Sequence, residues 1–217
     1  MTDDELPDDV QQYAENFARR SIGNSIVFFG HWNKLLQRDV DRATKIMIER
    51  QDQVHAKQIE WEEFAFHVRH LVHAAFAQVE GLSYVLRQIA LWARDRGEIV
   101  LTDDEAAELK EVDRRNDAIV RRNSIVRNLE LGYSMFSRAL GLDPPLRIDK
   151  GGVGWRNFSA ALEIRNDITH PKNLYSFSLL ESLEKLDQFD KAKVWFWGEM
   201  TRLWKAAIEA RGGTVPG

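Results

Sequence analysis

The sequence predicts an all-α protein, an antiparallel four-helix bundle carrying a helical extension at its N-terminus. Three observations carry that expectation. The five prolines stand at positions 7, 144, 145, 171 and 216, so long stretches lack that helix breaker. Apolar residues recur at steps of three and four along most of the chain. No segment alternates with the period of two that a half-buried strand needs.

Each element follows from its own local signals. Asp8 or Asp9 can cap a first helix through Val10, Tyr13, Ala14 and Phe17, and Gly23-Asn24 is expected to interrupt it. A second apolar pattern runs from Ile26 to Met47 and fades through the polar stretch Glu49 to Lys57. Residues 59–96 are the strongest helix, with Phe64, Val68, Leu71, Val72, Phe76, Val79, Leu82, Leu86 and Ile89 at helical spacing. Gly97 is its stop. Thr102-Asp103-Asp104-Glu105 reads as a capping box, and the helix it starts is expected to reach about Leu140. Its middle, Asp113 to Asn123, is highly charged and reads either as a break or as a solvated, protruding stretch. Gly141 to Pro145 end that helix, and Gly151-Gly152-Val153-Gly154 reads as a flexible lead-in to a short helix over about 155–169. Pro171 stops the short helix, and a last one runs from about Ser178 to Ala210. The resulting organisation is an extension over 1–58, a bundle over 59–210 and a loose tail over 211–217.

Composition narrows the function. With 44% hydrophobic residues in 217, the chain can bury a core and is not a disordered segment. Its 30 basic and 34 acidic residues exert no global pull on nucleic acid, although a local basic site remains open. Cysteine is absent, which excludes a disulfide scaffold, a thiolate zinc site and a cysteine nucleophile. The acidic start Met1 to Glu5 is unlike a secretory signal, and no apolar run approaches a membrane span. A cytoplasmic protein without membrane contact is the expectation.

The helix over 155–169 carries the chemistry. At about 100° per residue, Trp155, Phe158, Ala161, Leu162, Ile164 and Ile168 share a broad face, and Arg165 falls near its middle. A guanidinium there is costly unless it is paired or faces a polar cleft. His170 follows five residues later, about 140° away on a regular helix. Pro171 disfavours helical dihedrals at His170, which frees the imidazole to swing back toward Arg165. Such a set suits metal-free RNA cleavage. An imidazole moves a proton at a ribose 2′-hydroxyl or a leaving 5′-oxygen. A guanidinium neutralises a phosphate gathering charge. An adjacent amide, Asn166, orients either group.

The run Arg165-Asn166-Asp167-Ile168-Thr169-His170 resembles the signature of the HEPN superfamily, an arginine, a polar residue and a histidine after four to six intervening positions. The context is similar too, since HEPN domains are helical bundles with the motif near the end of the third core helix. The resemblance covers about residues 59–210 and leaves 1–58 without a counterpart. It implies a metal-independent endoribonuclease with no cofactor, of the kind found in toxin–antitoxin and antiphage defence systems. It also implies a homodimer in which two motifs face one composite cleft, and an antitoxin or regulatory protein as partner. Arg165 would contact the scissile phosphate, His170 would act as acid or base, and Asn166 would position them. Products would carry a 2′,3′-cyclic phosphate or a 3′-phosphate. Some HEPN domains keep the fold without cutting, so a non-catalytic dimeric binding or regulatory module is the alternative.

Other constellations are weaker. Lys172 lies just beyond the motif, and Arg121 and Arg122, with Arg114, Arg115 and Arg127, form a basic stretch that suits an RNA backbone or, interleaved with Asp113 and Asp117, a solvated face. His67, His70 and His73 recur at three-residue steps after Glu63, a spacing seen in bundle metal sites. No second Glu-x-x-His stands on another helix, so partly buried or dimer-facing histidines are the plainer reading. Trp195, Trp197 and Trp204 in the last helix read as core or interface.

Overall fold

The computed structural model describes residues 8–110, 124–169 and 179–213. Among them are seven helices and no strand. They are α1 (Asp8–Ala18), α2 (Ile22–His55), α3 (Trp61–Asp95), α4 (Asp103–Leu109), α5 (Ile125–Ala139), α6 (Val153–Thr169) and α7 (Leu179–Glu209). The pairs α2 and α3, α3 and α5, and α6 and α7 pack antiparallel. No described helix is long and apolar enough to cross a membrane.

Local chemistry accounts for most helix ends. Thr102 Oγ1 accepts from the Glu105 N–H at 3.1 Å while Glu105 Oε2 accepts from the Thr102 N–H at 2.8 Å, so the expected capping box starts α4. Gly97 and Gly141 take positive φ, 72° and 79°. Each is followed by an N–H that reaches back five residues, Glu98 to the Ala93 carbonyl and Leu142 to the Ser137 carbonyl, which closes α3 and α5. Lys57 ends α2 in the same way without being glycine, at φ 54°.

One expectation is corrected, and one open alternative is decided. The break between α1 and α2 falls at 19–21, ahead of Gly23-Asn24. Ser21 causes it, because its Oγ accepts from the Asn24 N–H at 3.1 Å and caps a new helix that contains both residues. Buried Ser25 closes the corner by donating to the Ala18 carbonyl at 2.8 Å. The helix expected from 103 to 140 is two helices. Lys110 is the C-cap of α4, and Ser124, with extended backbone at φ −64° and ψ 156°, caps α5 by accepting from the Arg127 N–H. Arg121 and Arg122 lie between them, outside the described residues.

The chain divides into two compact units. One comprises Met1–Lys34, Glu80–Arg147 and Leu203–Gly217. Its core is Phe29, Leu82, Leu86, Ile89, Leu129, Tyr133, Phe136 and Leu203, all essentially inaccessible. Phe29 meets Phe136 and Trp204 at ring separations of 5.6 and 5.8 Å. Within this unit α4 is held by arginines. Buried Arg87 donates to the Leu109 carbonyl at 3.3 Å, Arg127 pairs with Glu108 at 2.5 Å, and Arg138 pairs with Glu105 at 2.7 Å and donates to the Val100 carbonyl. These charge-assisted bonds satisfy a helix end that has little apolar surface of its own.

The other unit comprises Leu35–Val79 and Ile148–Arg202. Val40, Ala43 and Met47 of α2 are buried in it, with Phe64, Val68, Leu71, Val72 and Phe76 of α3. So are Phe158, Ala161 and Ile164 of α6, and Phe189, Ala192, Phe196 and Met200 of α7. Phe158 stands at its aromatic centre, 5.0 Å from Trp195, 6.1 Å from Phe76 and 6.4 Å from Phe196. The lead-in glycines belong partly to the helix. Val153 and Gly154 form the first turn of α6, and a β-carbon on Gly154 would stand 2.1 Å from Trp195 Cδ1.

Two predictions test this packing. Gly154→Ala forces Trp195 to shift and should cost about 1–3 kcal/mol in denaturant unfolding. Gly198→Ala, at a helical position with nothing within 4 Å of the new methyl, should stabilise by about 0.5–1 kcal/mol in the same assay. For the α4 cap, the Thr102 N–H hydrogen bond holds the Glu105 carboxyl below its ordinary pKa, helped by Arg138 and opposed by burial. A depressed folded pKa stabilises above the ordinary carboxylate range and is lost as pH falls through it. The stability difference between wild type and Glu105→Gln should therefore shrink on acidification, which a series of melts at decreasing pH would show.

Candidate functional site

The candidate site lies on the last described turns of α6. Helical geometry sets Arg165 within about 20° of Phe158 and 40° of Ala161 around the axis. Those two residues and Ile164 are buried, and Arg165 is half-buried beside them. The expected apolar face is narrower than its sequence pattern, because Trp155, Leu162 and Ile168 are only half-buried. Arg165 thus does occupy the core-facing side of its helix. A long guanidinium side chain tolerates that position by burying its stem and keeping its head polar.

Asn166 and Asp167 are exposed. Asn166 Oδ1 accepts from Arg165 Nη1 at 3.3 Å, so the amide contacts the guanidinium. Thr169 Oγ1 donates to the Arg165 carbonyl at 2.7 Å, a bond back to the preceding turn. The structure therefore brings Arg165 and Asn166 together. His170 and Lys172 lie outside the described residues, as do Arg121 and Arg122.

The histidines of α3 do not assemble into a ligand set. Three-residue steps turn about 60° short of a full turn, so His67 and His73 diverge by about 120° around the helix. His67 is half-buried, whereas His70 and His73 are exposed. Among the described residues no group of three or more histidine, aspartate or glutamate side chains is placed to hold a metal ion. Arg50 Nη1 lies 3.6 Å from Glu63 Oε1, next to His67. Burial pushes the His67 pKa below its ordinary value, Arg50 and His70 push the same way, and Glu63 opposes them.

The recess lined by Ala75, Phe76, Phe158, Ala161, Phe189 and Phe196 is apolar. Its space for water-sized molecules is about 20 Å³, enough for one or two waters. That is too little for a preformed small-molecule site, which takes some 300 Å³ or more. A second aromatic group lies at the start of α6. Lys150 Nζ sits 5.2 Å from the centroid of the Trp155 ring, and Trp155 meets Trp195 edge to face at 5.5 Å. The sequence places Trp195 in core or interface and Trp155 on the apolar face of its helix, but not their pairing or that with Lys150, which joins two helices and a loop. No family model, curated protein or solved structure matches the chain.

One titration follows from the α3 cluster. His67 should lose its proton at lower pH than a free imidazole, and Arg50→Ala should raise its midpoint, as followed by the ring C–H resonances in NMR. Because the folded pKa is depressed, the group favours folding above the ordinary imidazole pKa and opposes it as pH falls through that value.

Proposed function

We propose that this protein is a metal-independent endoribonuclease of the HEPN type, acting as a homodimer on RNA in toxin–antitoxin or antiphage defence. One observation carries the reading. Arg165, half-buried on the core side of α6 and hydrogen-bonded by exposed Asn166, occupies a position where packing alone favours an apolar residue. The order of elements supports it. The motif helix α6 comes third after α3 and the α4–α5 pair and precedes a long final helix, as in a HEPN bundle. A half-buried guanidinium is well suited to a phosphate, because partial desolvation strengthens its pull on developing charge.

In the mechanism this set allows, one imidazole removes the proton of the ribose 2′-hydroxyl. Its oxygen attacks the adjacent phosphorus, and the 5′-oxygen leaves as a proton is returned to it. The product strand ends in a 2′,3′-cyclic phosphate. Arg165 stabilises the phosphate oxygens, Asn166 holds Arg165, and His170 supplies the proton transfer. Pairing Arg165 of one protomer with His170 of its partner meets the roughly 140° separation that a regular helix imposes. An antitoxin or regulatory protein would then act by covering that cleft. A non-catalytic dimeric binding module is the second reading, favoured by the hydrogen bond through which the Arg165–Asn166 pair partly satisfies itself.

Incubating the full chain with total cellular RNA in EDTA tests the proposal. Cleavage should persist without divalent ions and leave 2′,3′-cyclic phosphate ends. Arg165→Ala and His170→Ala should each lower kcat/KM by about 100-fold or more, and Asn166→Ala by less. Undiminished cleavage in both variants sinks the proposal. A stable dimer that binds RNA and cuts none would establish the binding module instead.

A further inference from the structure

An aromatic and cationic edge of α6 leads away from the Arg165–Asn166 pair. Trp155, Ser159, Leu162 and Asn166 follow one another at steps of four, three and four residues, which keeps them within about 60° of arc. The first three are half-buried and Asn166 is exposed, so the edge is open to solvent along its length. At its far end Trp155 packs edge to face on Trp195, at 5.5 Å and 70°. The Lys150 ammonium covers the Trp155 ring at 5.2 Å, and the neighbouring Arg156 is exposed and makes no ion pair among the described residues. On this loop Asp149 accepts the Gly151 N–H at 2.8 Å.

We propose that this edge is the track of a single-stranded RNA, a site that rests on the ribonuclease reading and extends it. The strand whose phosphate is held at Arg165 and Asn166 runs along α6 toward its start. There one base stacks on Trp155, and the flanking phosphates meet Lys150 and Arg156. The eleven residue steps from Trp155 to Asn166 span about 16 Å, the length of roughly three to five nucleotides. Three features favour a nucleic acid strand. The ring is held rigid by Trp195 and Phe158, whose centroids lie 5.5 and 5.6 Å away, so it loses little freedom on stacking. An exposed cation–π contact is weak, so a base can displace the Lys150 ammonium from the ring, and the exposed ammonium stays beside the strand. Stacking on one indole accepts any base, so the track adds affinity without selecting sequence.

The probe is a fluorescein-labelled, mixed-sequence 15-nucleotide single-stranded RNA, titrated with the full chain at several salt concentrations. Cleavage of the same strand is read separately. Lys150→Ala combined with Arg156→Ala changes only surface side chains. It should weaken binding about tenfold and reduce the slope of log affinity against log salt by about 1.4, from about 0.7 per phosphate contact. Trp155→Leu should weaken binding about fivefold or more with little change in that slope. Because Trp155 also packs against Phe158 and Trp195, the surface pair is the deciding variant. Unchanged affinity and slope in the double variant, or no binding of this strand by the wild type, overturns the track. A wild type that binds the strand with these sensitivities yet cuts no RNA overturns the nuclease reading and leaves the track standing.

Discussion

Where α6 begins, the Trp195 indole lies against the backbone of Gly154, in space that any β-carbon would fill. One turn later Phe158 packs among Phe76, Trp195 and Phe196, and Phe189 packs against Phe76. These contacts seat the first turns of α6 at a single rotation about its axis. A helix is a rigid rod over this distance, so the rotation set at Gly154 and Phe158 is inherited two turns later by Arg165. The guanidinium reaches the core-facing side because aromatic packing turns it there. The same seating puts Asn166 at the open edge, in reach of Arg165. A buried aromatic cluster of this kind contributes several kcal/mol per side chain, far more than any polar contact of Arg165 would oppose.

Arginines elsewhere in the chain show what structural guanidinium groups do. Arg87 terminates α4 on the Leu109 carbonyl, and Arg138 bridges Glu105 and the Val100 carbonyl. Each substitutes a charge-assisted bond for apolar surface that a short helix lacks. In the unit that contains α6, helices α3, α6 and α7 interlock through phenylalanine and tryptophan, and α2 adds Val40, Ala43 and Met47. Arg165 stands half-buried beside that core.

Much of the fold was legible. The apolar stripe of α3 follows its spacing, with Phe64, Val68, Leu71, Val72, Phe76, Val79, Leu82, Leu86 and Ile89 all buried. The capping box at Thr102 and the stops at Gly97 and Gly141 were also correct, since each is a hydrogen-bond pattern completed within five residues. The errors had local causes as well. Ser21 and Ser124 are N-caps that the eye passed over, one beside a more conspicuous Gly-Asn pair and one inside a long apolar repeat. The α2 helix was harder. Its apolar pattern fades after Met47, yet it runs to His55, because antiparallel packing on α3 sustains a helix that its own composition supports weakly.

The sequence by itself determined the capping box at Thr102, the glycine stops at 97 and 141, which residues are apolar enough for a core, and that arginine, asparagine and histidine stand together before a proline. Those properties depend on neighbours a few residues apart, through backbone hydrogen bonds and helical periodicity. Only the tertiary structure decided how deeply Arg165 sits and that Trp155 meets Trp195 and Lys150. Each of these rests on how one helix is rotated against another. That rotation comes from the summed packing of side chains distant in sequence, such as Phe76, Phe158 and Phe189, and no local pattern contains it.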